Sequence, residues 1–250
     1  MTPTSLEPLT GLRASLYEAI RPFEPQDGSM RIFAPASYSL VRHAQLVPVV
    51  HIEAFSLAHW FPLCWLKRDG CTTLVTLRTL RSDGSGQPAG SPDTAASLPL
   101  ALRAYPFVVG AGGGDRHFLD AAIPDQPSDV GAPIMTQAGK AGPGAQLKMQ
   151  ALAAFDHALA VSQAMTDTLV ESDLLEAWPL DFDVDGERVV VDDMFVLKAS
   201  ELTSVRMFQF IEKYGSAAAA FLGAHRISLF RAGSLVQAAR RTAPAAIAAQ

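Results

Sequence analysis

Cysteine is scarce in this sequence: Cys64 and Cys71 are the only two in 250 residues. Two thiols cannot build the cross-linked framework on which small secreted domains rely. Basic residues are outnumbered by acidic ones, giving a formal net charge of −5. The pair Arg240-Arg241 is too short to act as a basic patch. The clustered cations that draw a protein to nucleic acid or to an anionic bilayer are missing, and neither partner is expected. No uninterrupted apolar run approaches the ~20 residues of a membrane-spanning helix, so no transmembrane segment is expected. Met1 to Glu7 has neither the basic nor the apolar region of a secretory signal. The expectation is a cytoplasmic protein.

Apolar side chains are plentiful: 49% of residues are hydrophobic against 18% charged. That supply supports a substantial core without staples. The length suits one large domain or two small ones. Residues 1–30 carry several prolines and little periodicity, and read as an N-terminal arm that packs on the domain or stays mobile. Residues 31–231 read as one α+β domain, and residues 232–250 as a helix end and tail. Within the domain, 81–97 is rich in Gly, Ser, Pro and Asp and reads as a flexible surface loop.

Two Asp-Gly pairs give the clearest local signals. Asp69-Gly70 lies between the β-prone runs Leu63–Lys67 and Thr72–Leu80. A type I′ turn there requires φ > 0 at both central residues, which Asp-Gly tolerates. The register pairs Arg68 with Cys71, Leu66 with Thr73 and Cys64 with Val75. The two cysteines then share a face but stand about 13 Å apart along the ladder, beyond disulfide reach. Asp185-Gly186 sits likewise between Leu180–Val184 and Arg188–Val191, with Asp183 opposite Arg188 and Asp181 opposite Val190. Ser39–Val50 is valine-rich and predicts a strand, and His51–Trp60 a short helix closed by Pro62. Leu98–Ala104 predicts a short helix, and Phe107–Val109 and Phe118–Ala122 two strands. Ala145–Leu175 is the longest helical pattern, with Leu152, Phe155, Leu159, Met165 and Leu169 on one face. Ser200 reads as the N-cap of a further helix that ends near Gly215, and a last helix runs from Ser216 to about Ala239. The fold class is therefore α+β: an antiparallel, hairpin-rich sheet packed against a few helices, with a helical C-terminal part.

Three motifs are measured against specific chemistry. Gly110-Ala-Gly112-Gly-Gly114 follows a strand, as a phosphate loop does, but Arg116–Asp120 reads as a strand where the phosphate would need a helix N-terminus. A hairpin loop is the better reading. His51-Ile-Glu53 followed by Pro62 and Cys64 has elements of a zinc deaminase motif, but Cys64 and Cys71 do not form the Cys-x-x-Cys turn that brings two thiolates to one metal. Asp181, Asp183, Asp185 and Asp192 have the spacing of a calcium loop. Against that, Arg188 takes the eighth position, where an apolar residue belongs, and Phe182, Val184, Val189 and Val191 alternate as in a ladder. The segment is expected to be a hairpin with a solvated acidic face and one cross-strand ion pair. No motif calls for a cofactor or a metal.

Several segments, in order, resemble the SapC-like family, named for a protein associated with bacterial surface layers. They are Val47-Pro48-Val49-Val50 with Glu53, Ala58 and Phe61-Pro62; Leu102-Arg103-Ala104-Tyr105-Pro106-Phe107; Phe118-Leu119-Asp120 with Gly131; Leu174-Leu175 to Leu180; and Gly223-Ala224-His225-Arg226-Ile227-Ser228-Leu229. Leu63-Cys64-Trp65 departs from the family pattern, in which an aliphatic pair and Phe are usual. Relatives are encoded near flavin-dependent halogenase-like proteins, cupin-type or JmjC-like oxygenases and TonB-dependent receptors. The resemblance thus implies a Gram-negative bacterium and a role in peptide or small-molecule modification and uptake. The first expectation is a non-catalytic accessory or binding protein, with a halogenase-like or oxygenase-like enzyme as partner, or self-association. The second is an enzyme whose site forms only in the fold, with Glu53, Arg103 and His225 as candidate catalytic residues. The third, suggested by the family name, is a surface-layer or secretion-associated protein. Tyr105, Phe107, His225 and Ser228 are the candidate binding residues. The alanine-rich helix from Ser216 to Leu229 is the candidate docking element, partly on the domain and partly on another chain.

Overall fold

The apolar runs on either side of Asp69-Gly70 form the centre of the main sheet. The structure, a computed structural model, describes residues 16–87, 98–110, 117–126, 131–184 and 186–242. Strands β4 (Leu63–Arg68) and β5 (Cys71–Leu77) pair in the expected register, Leu66 with Thr73 and Cys64 with Val75. Asp69 and Gly70 both have positive φ, 52° and 76°, as a type I′ turn demands. Strand β3 (Leu46–Pro48) joins the outer side of β5, and β11 (Met194–Leu197) and β8 (Leu175–Ala177) extend the other side. The result is a five-stranded antiparallel sheet in the order β3-β5-β4-β11-β8.

Each sheet face carries its own core. On one, Leu63, Trp65, Leu74 and Leu197 pack against the second half of helix α4 (Pro143–Glu171) and against α5 (Val205–Ser228). On the other, Cys64, Leu66, Val75 and Met194 meet the hairpin β9 (Leu180–Val184) and β10 (Glu187–Val191) and helix α6 (Ala232–Thr242). A third cluster lies beyond the sheet around the first half of α4. There Leu152 and Phe155 bury α1 (Ser39–His43), α3 (Leu100–Ala104), Phe107–Val109 and the chain from Leu16. The short α2 (Ala54–Leu57) packs on α5.

The first described residues are not a loose arm. Leu16 and Tyr17 are buried, and β1 (Ile20–Pro22) pairs with β6 (Phe118–Asp120). The Asp120 carboxylate accepts from the Glu18 and Ala19 N–H groups at 3.0 and 2.8 Å. Phe107 meets Leu119 through a single antiparallel bridge, so the two predicted strands do form a contact, but the ladder of β6 runs to β1. The strands β2 (Arg31–Ile32) and β7 (Ala132–Pro133) form another small pair.

Other boundaries shift for identifiable reasons. Ser39–Val50 is not one strand: Ser39–His43 forms α1 and only Leu46–Pro48 is extended. Strand β5 ends at Leu77, and Arg78 turns inward, donating to the carbonyls of Val41 and Ala44 at 2.6 and 3.3 Å. The 81–87 part of the expected loop is pinned. Arg81 pairs with Glu187 at 2.8 Å, and Gly84 lies so close to His43 that a Cβ would fall 2.1 Å from its carbonyl oxygen. The rest of that segment, 88–97, lies outside the described residues, as do 111–116 of the glycine-rich segment. Helix α4 stops at Glu171, and the next turn leads into β8 where a longer helix was expected. The cap of α5 is Ser204, whose hydroxyl accepts from Met207 N–H at 3.2 Å; Ser200 falls in a preceding 3-10 turn. Gly215 does break that helix, at φ 71° and ψ −156°, a conformation essentially confined to glycine. A 3-10 turn, Leu229–Arg231, then separates α5 from α6.

Both cysteines are free. Cys64 is wholly buried and burial pushes its thiol pKa up, whereas Cys71 is exposed at the end of the ladder. Alkylation of the native protein without reductant is therefore expected to label Cys71 alone, and alkylation in denaturant to label both. Intact mass distinguishes one adduct from two. An oxidised mass that changes only on reduction would mean that the strand register is wrong.

Candidate functional site

The buried polar side chains fall into three groups, and their partners decide what each can do. The first joins the end of α5 to the sheet. His225 is completely buried, its Nδ1 at 2.9 Å from the Leu63 carbonyl and its Nε2 accepting from Leu197 N–H at 3.3 Å. That pattern fixes a neutral imidazole with the proton on Nδ1. Burial drives its pKa down to about 3. Ser228, one turn on, accepts from Leu63 N–H at 2.9 Å and donates to the His225 carbonyl at 2.6 Å. The imidazole also lies against Trp65, ring centres 4.8 Å apart. Both polar atoms of the imidazole and the Ser228 hydroxyl are thus engaged by backbone groups. The pair ties one helix to β4 and β11.

The second group surrounds Tyr105. Its hydroxyl donates to Asp120 at 2.8 Å, and its ring stacks on Tyr17 and meets Tyr38 edge-on. Burial, then the Asp120 hydrogen bond, pushes the Tyr105 pKa well up. Phe107 is buried in the same cluster. Both residues face inward, and what they offer a ligand passes through their neighbour. Lys148 on α4 reaches back to donate to the Tyr105 carbonyl at 2.5 Å and lies 6.0 Å from the Tyr38 ring centre. Burial pulls the Lys148 pKa down to about 8.

The third group is built on Glu53. Its two carboxylate oxygens accept from Val50 N–H at 2.9 Å and Leu100 N–H at 2.7 Å, so it clamps the turn before α2 to the start of α3. Burial pushes its pKa up to about 7, against the pull of those two donors and of nearby Arg103. The structure therefore brings Glu53 and Arg103 within electrostatic reach of each other. His225 lies at a different core, bonded to Leu63 and Leu197 rather than to either of them.

Arg103 and Lys148 line the same pocket. A pocket of about 400 Å³ lies between residues 32–35, Leu98, α3, β7 and the first turns of α4. Its walls are mostly apolar, with Ile32, Phe33, Leu98 and Leu147 among them, and its titratable lining residues are Arg103 and Lys148. Among the described residues, neither cation has a carboxylate within ion-pair distance. Lys148 lies one turn before Leu152 on the buried face of α4, but a single lysine at the start of an apolar stripe matches no motif. Only the tertiary fold places it beside Tyr105.

A family model for SapC matches residues 27–235. The chain belongs to the SapC family. No curated protein and no solved structure matches it. In this SapC chain Glu53, Asp120, His225 and Ser228 of the resembling segments clamp backbone groups, and Tyr105 holds the Asp120 carboxylate.

The remaining motifs resolve locally. Asp181 takes both hydrogen bonds from Arg188, at 3.0 and 2.7 Å, and Asp183 accepts from Gly186 N–H at 2.9 Å. The cross-strand ion pair is thus diagonal: Arg188 stands opposite Asp183 but bonds to Asp181, two residues along the same face. Asp185 lies outside the described residues, and Asp192 contributes only a long-range attraction to Arg188. Among the described residues no three metal-ligating side chains cluster. The zinc-like set does not converge, since Cys64 faces the β9–β10 side of the sheet and His51 Nδ1 contacts Ser162 at 2.8 Å. That Ser–His contact was invisible in the sequence. Ser162 is buried, its hydroxyl donates to the Ala158 carbonyl and it also accepts from His51 N–H, so its oxygen is engaged in holding the start of the 51–53 turn to α4.

Proposed function

We propose that this SapC chain is a cytoplasmic, non-catalytic binding protein that presents a small apolar ligand to, or receives one from, a modifying enzyme. The observation that carries the reading is the pocket of about 400 Å³ with mostly apolar walls and a few polar groups, the usual make-up of a ligand site. The candidate catalytic groups Glu53 and His225 are held by backbone partners, which suits a structural role for them. A free, exposed Cys71 suits a reducing compartment. A protein partner, whether a halogenase-like or oxygenase-like enzyme or a second copy, is supported by the outer stripe of α5 and the turn after it. Ala220, Gly223, Ile227 and Phe230 are exposed there, while Ala218, Phe221 and Leu222 pack inward.

Lys148 favours one alternative. A buried amine with a lowered pKa in an apolar pocket is the starting material of imine-forming enzymes.

Gly144 supplies the test. It lines the pocket, and a Cβ built on it meets nothing within 4 Å. Gly144→Phe is expected to fill the cavity while leaving the melting temperature unchanged or slightly higher, since glycine is a poorer helix former than phenylalanine by about 0.5 kcal/mol. Native mass spectrometry against a library of small apolar compounds should give reversible complexes that Gly144→Phe loses. Complexes that survive in Gly144→Phe would place binding elsewhere. A stable adduct on Lys148 after borohydride treatment with a ketone would replace the binding reading by the imine-forming one.

A further inference from the structure

We infer that the ligand of this pocket carries a carboxylate, and that Arg103 and Lys148 hold it while the apolar walls take its body. This rests on the pocket being the binding site. Arg103 lines the pocket on α3, half-buried, with no hydrogen bond or ion pair to a described residue. Lys148 is buried, and its ammonium has three protons. One goes to the Tyr105 carbonyl, and the other compensation is the face of Tyr38 at 6.0 Å. A buried cation without a counter-ion is disfavoured, and the lowered Lys148 pKa reports that same deficit.

Among the described residues, the carboxylate that acts on Arg103 is Glu53. It is within electrostatic reach of Arg103, does not line the pocket, and has both oxygens occupied by backbone N–H groups. Both cations line the cavity, and none of its lining residues is acidic. A planar guanidinium fork matches a carboxylate in two parallel hydrogen bonds, and the ammonium adds a point charge beside it. Two cations and no lining acid suit one compact anionic head. Ile32, Phe33, Leu98 and Leu147 suit an aliphatic or aromatic body.

The test uses three ligands that differ only in the head: 4-phenylbutyrate, 4-phenylbutan-1-ol and 4-phenylbutyl phosphate, titrated by calorimetry into the full chain. The acid is expected to bind at least ~10-fold more tightly than the alcohol, a modest gain for a charge-assisted pair. Arg103→Gln should remove most of that ratio while leaving alcohol binding within about twofold. Lys148→Met should also reduce it. Because Lys148 holds the Tyr105 carbonyl, Arg103→Gln carries the conclusion if Lys148→Met unfolds. Equal affinity for acid and alcohol, with Gly144→Phe abolishing both, would overturn the carboxylate assignment and leave the pocket standing as an apolar site. Tighter binding of the phosphate ester than of the acid would reassign the head group. If none of the three binds, both the assignment and the pocket reading fail.

Discussion

Replacing His225 with alanine is expected to lower the unfolding free energy by about 3–5 kcal/mol, from two lost buried hydrogen bonds and a cavity beside Trp65. The loss is large because the imidazole is the only side chain that bridges α5 to both β4 and β11 at this point: Leu63 O and Leu197 N–H would each be left facing a cavity. At roughly 2–4 °C per kcal/mol for a chain of this size, the melting temperature should fall by about 6–20 °C. His225→Asn keeps an N–H near the position of Nδ1 and should recover part of that loss, on the order of 1 kcal/mol, by restoring the bond to Leu63. Ser228→Ala should cost less, about 1–3 kcal/mol, since it strands one N–H, that of Leu63. Thermal denaturation of the three variants checks the order. If His225→Ala melted within a few degrees of the parent, the latch would be wrong and His225 would return as a functional candidate.

Much of the fold was legible because it is written in local rules. Asp69-Gly70 fixed both the turn and the register of β4 and β5, and the same logic located β9 and β10. Gly215 marked a helix break because its conformation admits little else. What local rules missed was set by partners far along the chain. Met194–Leu197 is four apolar residues, too short to be told from a turn of buried helix, yet it forms the strand between β4 and β8. Ser39–His43 has one β-branched residue, Val41, and the valines that predict a strand lie further on, at Val47, Val49 and Val50; the first part is helical, with Val41 in the core that holds Tyr38 and Tyr105. Leu16–Pro22 seemed unstructured because its order comes from Asp120, about a hundred residues away. The site divides the same way. Glu53 and Arg103 were singled out and do come together, whereas Lys148 and the cavity wall at Ile32 and Phe33 gave no sequence signal, because a pocket exists only between elements.

The Glu53→Gln variant is expected to acquire a dependence of stability on pH that the parent lacks between pH 4.5 and 6.5. Two fully buried groups act there with opposite signs. The folded pKa of His225, about 3, lies below its unfolded value of 6.5. Between those values the unfolded chain binds the extra proton, so His225 makes stability rise with pH and its contribution is lost on acidification. The folded pKa of Glu53, about 7, lies above its unfolded value of 4.5. Between these the folded chain binds the extra proton, so Glu53 makes stability fall as pH rises. Where the windows overlap, the two slopes, each about 1.4 kcal/mol per pH unit, cancel. Glu53→Gln removes one of them. Its amide must also turn a donor toward Val50 N–H or Leu100 N–H, a further cost of about 1–3 kcal/mol at every pH. The variant should thus be less stable than the parent at pH 4.5, and the gap should narrow by roughly 2–3 kcal/mol by pH 6.5 as the His225 slope stands uncompensated. The lowered pKa values of Asp27 and Asp173 add to the acid limb in both proteins and drop out of the comparison. Urea denaturation at half-unit pH steps reads the difference directly. Parallel profiles for variant and parent would mean that Glu53 is charged in the folded protein throughout this range, held ionised by Arg103 and its two backbone donors.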